Sequence, residues 1–163
     1  MITDNQKARR KAFLSMIAVS ELRQELMNRT DDGYDVIVGA TAEHPLKFRS
    51  YDRHPNVTNH TRYGWSTAAG RYQILHRYAV AYTKTLKLPD FGPDSQDRIA
   101  LQMIKEQHAL PCVDRGDVAE AIKRVSNIWA SLPGAKYNQN THKMSTLLEV
   151  YDKYFNKYTE GEK

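Results

Sequence analysis

Two stretches of this chain carry residue types that can do chemistry. Glu21 follows Ser20 and the apolar run from Phe13 to Val19, and Gly70-Arg71-Tyr72-Gln73 follows the cap formers Ser66 and Thr67. Glycoside cleavage needs an acid, because the leaving oxygen must be protonated as its bond breaks. A solvated Glu titrates near about 4.3 and is ionised at neutral pH. Three features can hold Glu21 protonated. It follows an apolar segment and is expected to be partly buried; a helix ending there presents its negative end; a helix running on places Glu25 one turn away as a like charge. The plain alternative is a solvated surface Glu.

Gly70 to Gln73 reads as the start of a helix running to about Leu86. Glycine allows a ligand close to the backbone, and free amides at a helix start can bond acetamido or carboxylate oxygens. The Gln73 amide donates and accepts, which suits an N-acetyl group. Tyr72 either stacks on a sugar ring or belongs to the core. The competing reading is a tight helix–helix contact at Gly70 with Tyr72 buried.

Other chemistries find little support. His44, His54, His60, His76, His108 and His142 are scattered, with no HExxH or CxxC spacing, so no metal site is expected. No glycine-rich phosphate loop occurs, and no cofactor is expected. Cys112, the single cysteine, reads as a buried inert thiol.

The elements that must position these residues are mostly helical. Thr3 and Gln6 have capping-box spacing, so a helix starts near Asp4, with Phe13, Met16, Ile17 and Ser20 on its inward face. The formers Leu22 to Met27 leave open whether it stops at Glu21 or runs towards Asn28. Asn28 to Gly33 is a turn. Tyr34 to Val38 is the best strand in the chain, and Lys47 to Tyr51 is its candidate hairpin partner, giving a small β region at about residues 34–52. Asp52 to Tyr63 is a polar loop. Further helices are expected from a Ser95 cap to about His108, where Leu110-Pro111 breaks the chain, from Val118 to about Ala130, and from a Thr141 cap onward. The whole is an α+β, mostly helical, single domain of 163 residues.

A net charge of +5 and a pI near 9.3 point to an anionic partner such as nucleic acid, a membrane surface or bacterial wall. The charge does not choose among them. No apolar run approaches the roughly 20 residues of a membrane span. Lys7 to Val19 imitates a secretory signal only faintly, since Ser15 interrupts it and Glu21 occupies the cleavage region.

Read together, Ser20-Glu21, the segment from Gly33 to Gly39, Ala69 to Gln73, Asp114-Arg115-Gly116-Asp117 and the block from Ser126 to Ala135 resemble the bacteriophage lambda endolysin family. The resemblance runs from about Lys11 to Tyr137. It implies a lysozyme-like fold and a peptidoglycan lytic transglycosylase. Such an enzyme cuts between N-acetylmuramic acid and N-acetylglucosamine without water, leaving a 1,6-anhydro ring. By position Glu21 is then the catalytic residue. Gln73 and Tyr137 fall in cleft-lining stretches, Gln139 takes the matching place after Tyr137, and Asp35 lies in the hairpin region beside the site; Gly70 and Tyr72 remain substrate-binding candidates on their own chemistry. The family pattern has Gly after the catalytic Glu; Leu22 stands there in this chain. The resemblance also implies glycan strands as the partner, a monomer, and residence in the host cytoplasm until a phage holin opens the membrane.

Two other functions compete with this one. A hydrolysing muramidase would use Glu21 with Asp35 as the second carboxylate. A non-catalytic cationic wall-binding or nucleic-acid-binding domain would survive Glu21→Gln, and of these nucleic acid is the less expected partner.

Overall fold

The computed structural model describes residues 1–135 and 142–160. The candidate positions Tyr137 and Gln139, and the expected cap Thr141, lie outside the described residues. Among those residues the order of elements is α1 (Asp4–Leu22), α2 (Gln24–Asn28), β1 (Asn59–Thr61), β2 (Gly64–Ser66), α3 (His76–Leu86), α4 (Pro93–Glu106), α5 (Leu110–Arg115), α6 (Val118–Val125) and α7 (Met144–Glu160). The class is α+β and mostly helical, as the sequence implied. The chain divides into two compact units, one of Met1–Ser20 with Leu101–Lys163 and one of Glu21–Ala100.

In the first unit α1 opens with the expected capping box. The Thr3 amide donates to Gln6 Oε1 at 3.0 Å and the Gln6 amide donates to Thr3 Oγ1 at 3.1 Å. A single inward face was expected, but every residue from Ala12 to Ala18 is buried. A helix apolar on all sides must be covered on all sides. Arg10 makes two 2.8 Å bonds to the Asp114 carboxylate, and Arg9 Nη1 donates to the Asp114 carbonyl. Asp114-Arg115-Gly116-Asp117 ends α5: Gly116 is left-handed at φ 81°, and the Asp117 amide closes onto the Cys112 carbonyl at 2.8 Å.

Several boundaries differ from expectation. Pro111 sits in the first turn of α5, where its missing N–H is harmless, instead of ending a helix. α4 begins at Pro93, and Ser95 is not its cap; Asp90 Oδ1 accepts from the Gly92 amide and from Ser95 Oγ. α6 stops at Val125, well short of Ala130. The Ser126 hydroxyl bonds the Lys123 carbonyl, and the following residues turn, with Trp129 and Leu132 buried.

The second unit corrects the β assignment. Tyr34 to Val38 does not form a strand. It makes one isolated bridge from Val36 to Lys47 and another from Ile37 to Ala69. The pairing with the Lys47 region is real, since the Ile37 amide meets the Leu46 carbonyl and the Phe48 amide meets the Asp35 carbonyl, each at 2.9 Å. It stays local because Val38 turns to Ala68 and Gly39 is left-handed at φ 91°. The antiparallel sheet lies instead at the end of the stretch expected to be loop, β1 within it and β2 just past it, paired in the register His60 opposite Trp65.

Candidate active site

Glu21 is half-buried in the last turn of α1, which ends one residue later at Leu22. The helix therefore neither stops at Glu21 nor runs on unbroken. Arg23 breaks it at φ 69° and ψ 149°, a backbone region occupied essentially by glycine, and α2 starts immediately after. Just before Glu21, Ser20 is tied twice within the first unit. Its hydroxyl is 2.8 Å from Ser131 Oγ, and its carbonyl accepts from His142 Nε2 at 3.0 Å. That carbonyl belongs to the final turn and has no helical partner of its own.

Glu21 lines an open cavity of roughly 530 Å³. The other lining residues are Leu22, Arg23, Glu25 and Leu26 on one side and Ala40, Thr41, Ala42 and Glu43 on the other. A volume of this size falls in the usual range for ligand sites, about 300–1,000 Å³. The facing segment is shaped by short bonds. Thr41 and His44 exchange amide-to-carbonyl bonds of 3.1 Å, and Arg29 Nη1 donates to the Ala42 carbonyl at 2.7 Å. Sequence reasoning assigned no contact to this stretch, and no residue type in Ala40 to Glu43 would have signalled one.

Gly70 to Gln73 is a tight turn, not a helix start, and α3 begins only at His76. Thr67 does serve that helix, at a distance: its Oγ1 accepts from the His76 amide at 3.0 Å. Three of the amides expected to be free are used. Gly70 donates to the Val36 carbonyl at 2.8 Å, Arg71 to Gln96 Oε1 at 2.9 Å, and Gln73 to the Gly70 carbonyl at 3.2 Å. Gly70 is glycine for two reasons, its φ of 81° and the Gln96 side-chain amide pressed against its Cα.

Tyr72 is completely buried, so the structure resolves its two readings in favour of the core. Its hydroxyl donates to Asp97 Oδ1 at 2.6 Å, and the Tyr34 hydroxyl donates to the same oxygen at 2.9 Å. Arg71 is buried beside both rings and bonds Asp32 through Nε and Nη2. Burial pushes the Asp97 carboxyl above its usual range, against the hydrogen bonds of the two tyrosines and the Arg71 charge. Burial likewise pushes both phenols up, aided by the Asp97 charge. Sequence reasoning missed Gln96 and Asp97, which hold this turn from α4.

Gln73 remains half-exposed, with Nε2 bonded to the Gly70 carbonyl at 2.9 Å. Asp35 is also half-buried, and its Oδ1 accepts from the Asp31 amide at 2.9 Å. Neither residue is among those lining the cavity that holds Glu21. The structure thus places Glu21 on a ligand-sized cavity, buries Gly70 and Tyr72, and uses Asp35 to close a turn.

A mostly helical α+β chain with a glutamate at the end of its first helix, beside an open cavity, has the architecture of a lysozyme-like protein. The lysozyme of bacteriophage lambda, solved in complex with a chitohexasaccharide, aligns with it at a TM-score of 0.81 and 46% identity, covering 94% of this chain and 96% of that one. The chain belongs to the endolysin family, whose model matches residues 11–157. It is 52% identical over 145 residues to the endolysin of Escherichia phage lambda, covering 87% of this chain and 88% of that protein. It is 45% identical over 147 residues to the endolysin of Escherichia phage P2, covering 86% and 88%.

Proposed function

We propose that this protein is a bacteriolytic lytic transglycosylase that cleaves the β-1,4 bond between N-acetylmuramic acid and N-acetylglucosamine in peptidoglycan. Glu21 is the acid and then the base. Its carboxyl proton goes to the glycosidic oxygen as the bond to C1 breaks. The resulting carboxylate then takes the proton of the muramic C6 hydroxyl, whose oxygen closes onto C1. The acid is restored, water is not consumed, and the product ends in a 1,6-anhydro ring.

The observation that carries this reading is Glu21 itself, half-buried at the negative end of α1 and sharing its cavity with Glu25 and Glu43. The helix end and the carboxylates on the same cavity act against the charged form of Glu21, and the Arg23 charge acts for it. Kinship with a lysozyme seen holding a sugar hexamer supports a glycan substrate. Gln73, with one amide hydrogen committed to the Gly70 carbonyl, is left to receive an acetamido N–H through Oε1.

Hydrolysis is the second reading. It needs a second carboxylate to activate water or attack the sugar. Asp35 is engaged in its own turn, whereas Glu25 and Glu43 line the cavity. We take the protein to act as a monomer on the wall after a holin opens the membrane. Among the described residues no helix is long and apolar enough to cross one.

Mass spectrometry of muropeptides released from purified sacculi tests the proposal. Anhydro-muramic ends from the parent, and none from Glu21→Gln, are expected. Reducing ends would replace the transglycosylase by the hydrolase, and release by Glu21→Gln at the parent's rate would remove Glu21 from the chemistry.

A further inference from the structure

Arg23 joins two independent features. Its backbone is held in a conformation that non-glycine residues avoid, and it lines the cavity that contains Glu21. Strain of this kind persists only where the surroundings over-determine it, and it gathers at ligand sites. Leu22, buried just before it, and Leu26 and Met27, buried just after, fix the chain on both sides. Arg23 itself is exposed. Among the described residues its guanidinium makes no hydrogen bond or ion pair.

The charges on the cavity are lopsided. Glu21, Glu25 and Glu43 line it, and Arg23 is the one cation among the described lining residues. A neutral sugar polymer has no use for that cation. A muramyl glycan does, since each muramic residue carries a carboxylate, either on its lactyl group or on the peptide stem attached there. Without Arg23 every charged residue among the described lining residues would be a carboxylate. Arginine presents a planar fork of donors that matches a carboxylate.

We propose that Arg23 binds a carboxylate of the muramyl substrate and makes the site prefer muramyl glycan over neutral chito-oligosaccharide. This rests on the glycan-cleaving reading above and adds the substrate feature that the site reads. Arg23 is a specificity residue; no proton passes through it.

The test compares binding of three ligands in a Glu21→Gln background, where nothing is turned over. The ligands are chitohexaose, amidase-stripped glycan strands with free lactyl carboxylates, and stem-bearing strands. Arg23→Gln is expected to weaken muramyl strands at least tenfold while leaving chitohexaose within twofold, and Arg23→Lys to recover most of the loss. A loss confined to stripped strands assigns the lactyl carboxylate; one confined to stem-bearing strands assigns a stem carboxylate. Equal weakening of all three ligands, or of none, overturns the proposal. Arg23→Gly relieves the backbone without restoring charge and should bind like Arg23→Gln; parent-like binding would also overturn it. Turnover of sacculi by the parent and by Glu21→Gln, both with Arg23 intact, separately tests the acid.

Discussion

Leu22 and Gly33 are packed so closely that a Cβ on Gly33 would lie 2.6 Å from Leu22 Cδ1. Leu22 is buried, and Gly33 is left-handed at φ 86°, so each residue requires the other's size. Gly33→Ala should therefore destabilise the fold by about 1–3 kcal/mol through the clash and the backbone strain. Leu22→Ala should cost about 2–3 kcal/mol through the cavity it leaves. The double variant should lose less than the sum, because the shortened side chain makes room. Urea unfolding of all four proteins measures this coupling, and strict additivity would show that the two residues do not share the space.

Arg23→Gly should raise stability. The strain at φ 69° is worth about 1–3 kcal/mol, partly offset by the freedom glycine gains in the unfolded chain. A net gain of about 1 kcal/mol corresponds to a rise of roughly 2–4 °C in Tm. The same variant loses the only cation among the described residues of the Glu21 cavity, so stability and substrate choice should move in opposite directions. Calorimetry beside the binding comparison makes the check.

Gln96 is fully buried and satisfies three backbone groups. Its Oε1 accepts from the Arg71 amide, and its Nε2 donates to the carbonyls of Tyr34 and Phe91. Gln96→Ala strands all three, at about 1–3 kcal/mol each, so a loss of about 3 kcal/mol or more is expected. Gly70→Ala should damage the same joint from the other side, since a Cβ there collides with the Gln96 amide. Chemical unfolding of the two single variants tests this, and loss below about 1 kcal/mol in both would mean the joint relaxes.

His54 makes stability depend on pH. Its Nε2 donates to the Ile74 carbonyl at 2.8 Å, so Nδ1, which receives the Asn56 amide at 3.0 Å, must be unprotonated. Burial lowers its pKa from 6.5, with the His76 charge acting in the same direction against the Ile74 bond. A folded value below the unfolded one means this contribution is fully present above about 6.5 and is lost as pH falls through the folded value. The stability advantage of the parent over His54→Gln should shrink between pH 7 and pH 5. A constant difference across that range would show that His54 keeps its ordinary titration in the fold.

Much of this protein is legible in its sequence. The capping box of Thr3 and Gln6, the helical majority and the family motifs are local patterns, in which each residue answers to neighbours three or four positions away. Glu21 was legible for the same reason, as an acid at the end of an apolar helix. Gly70 to Tyr72 misled because their use is not local. Gln96 and Asp97, more than twenty positions away, claim the Arg71 amide and the Tyr72 hydroxyl, so a stretch that looked poised for ligand is filled by the protein's own side chains. The strand at Tyr34 to Val38 failed likewise, since strand formers become a sheet only where partners stay in register, and Gly39 turns the chain away after a single bridge to Lys47. Tertiary structure alone set Ala40 to Glu43 across from Glu21 and left Arg23 as the cation on that cavity. Chain order carries no record of which distant segments face one another; the packing of Leu22 against Gly33 and of Gln96 against Gly70 decides it.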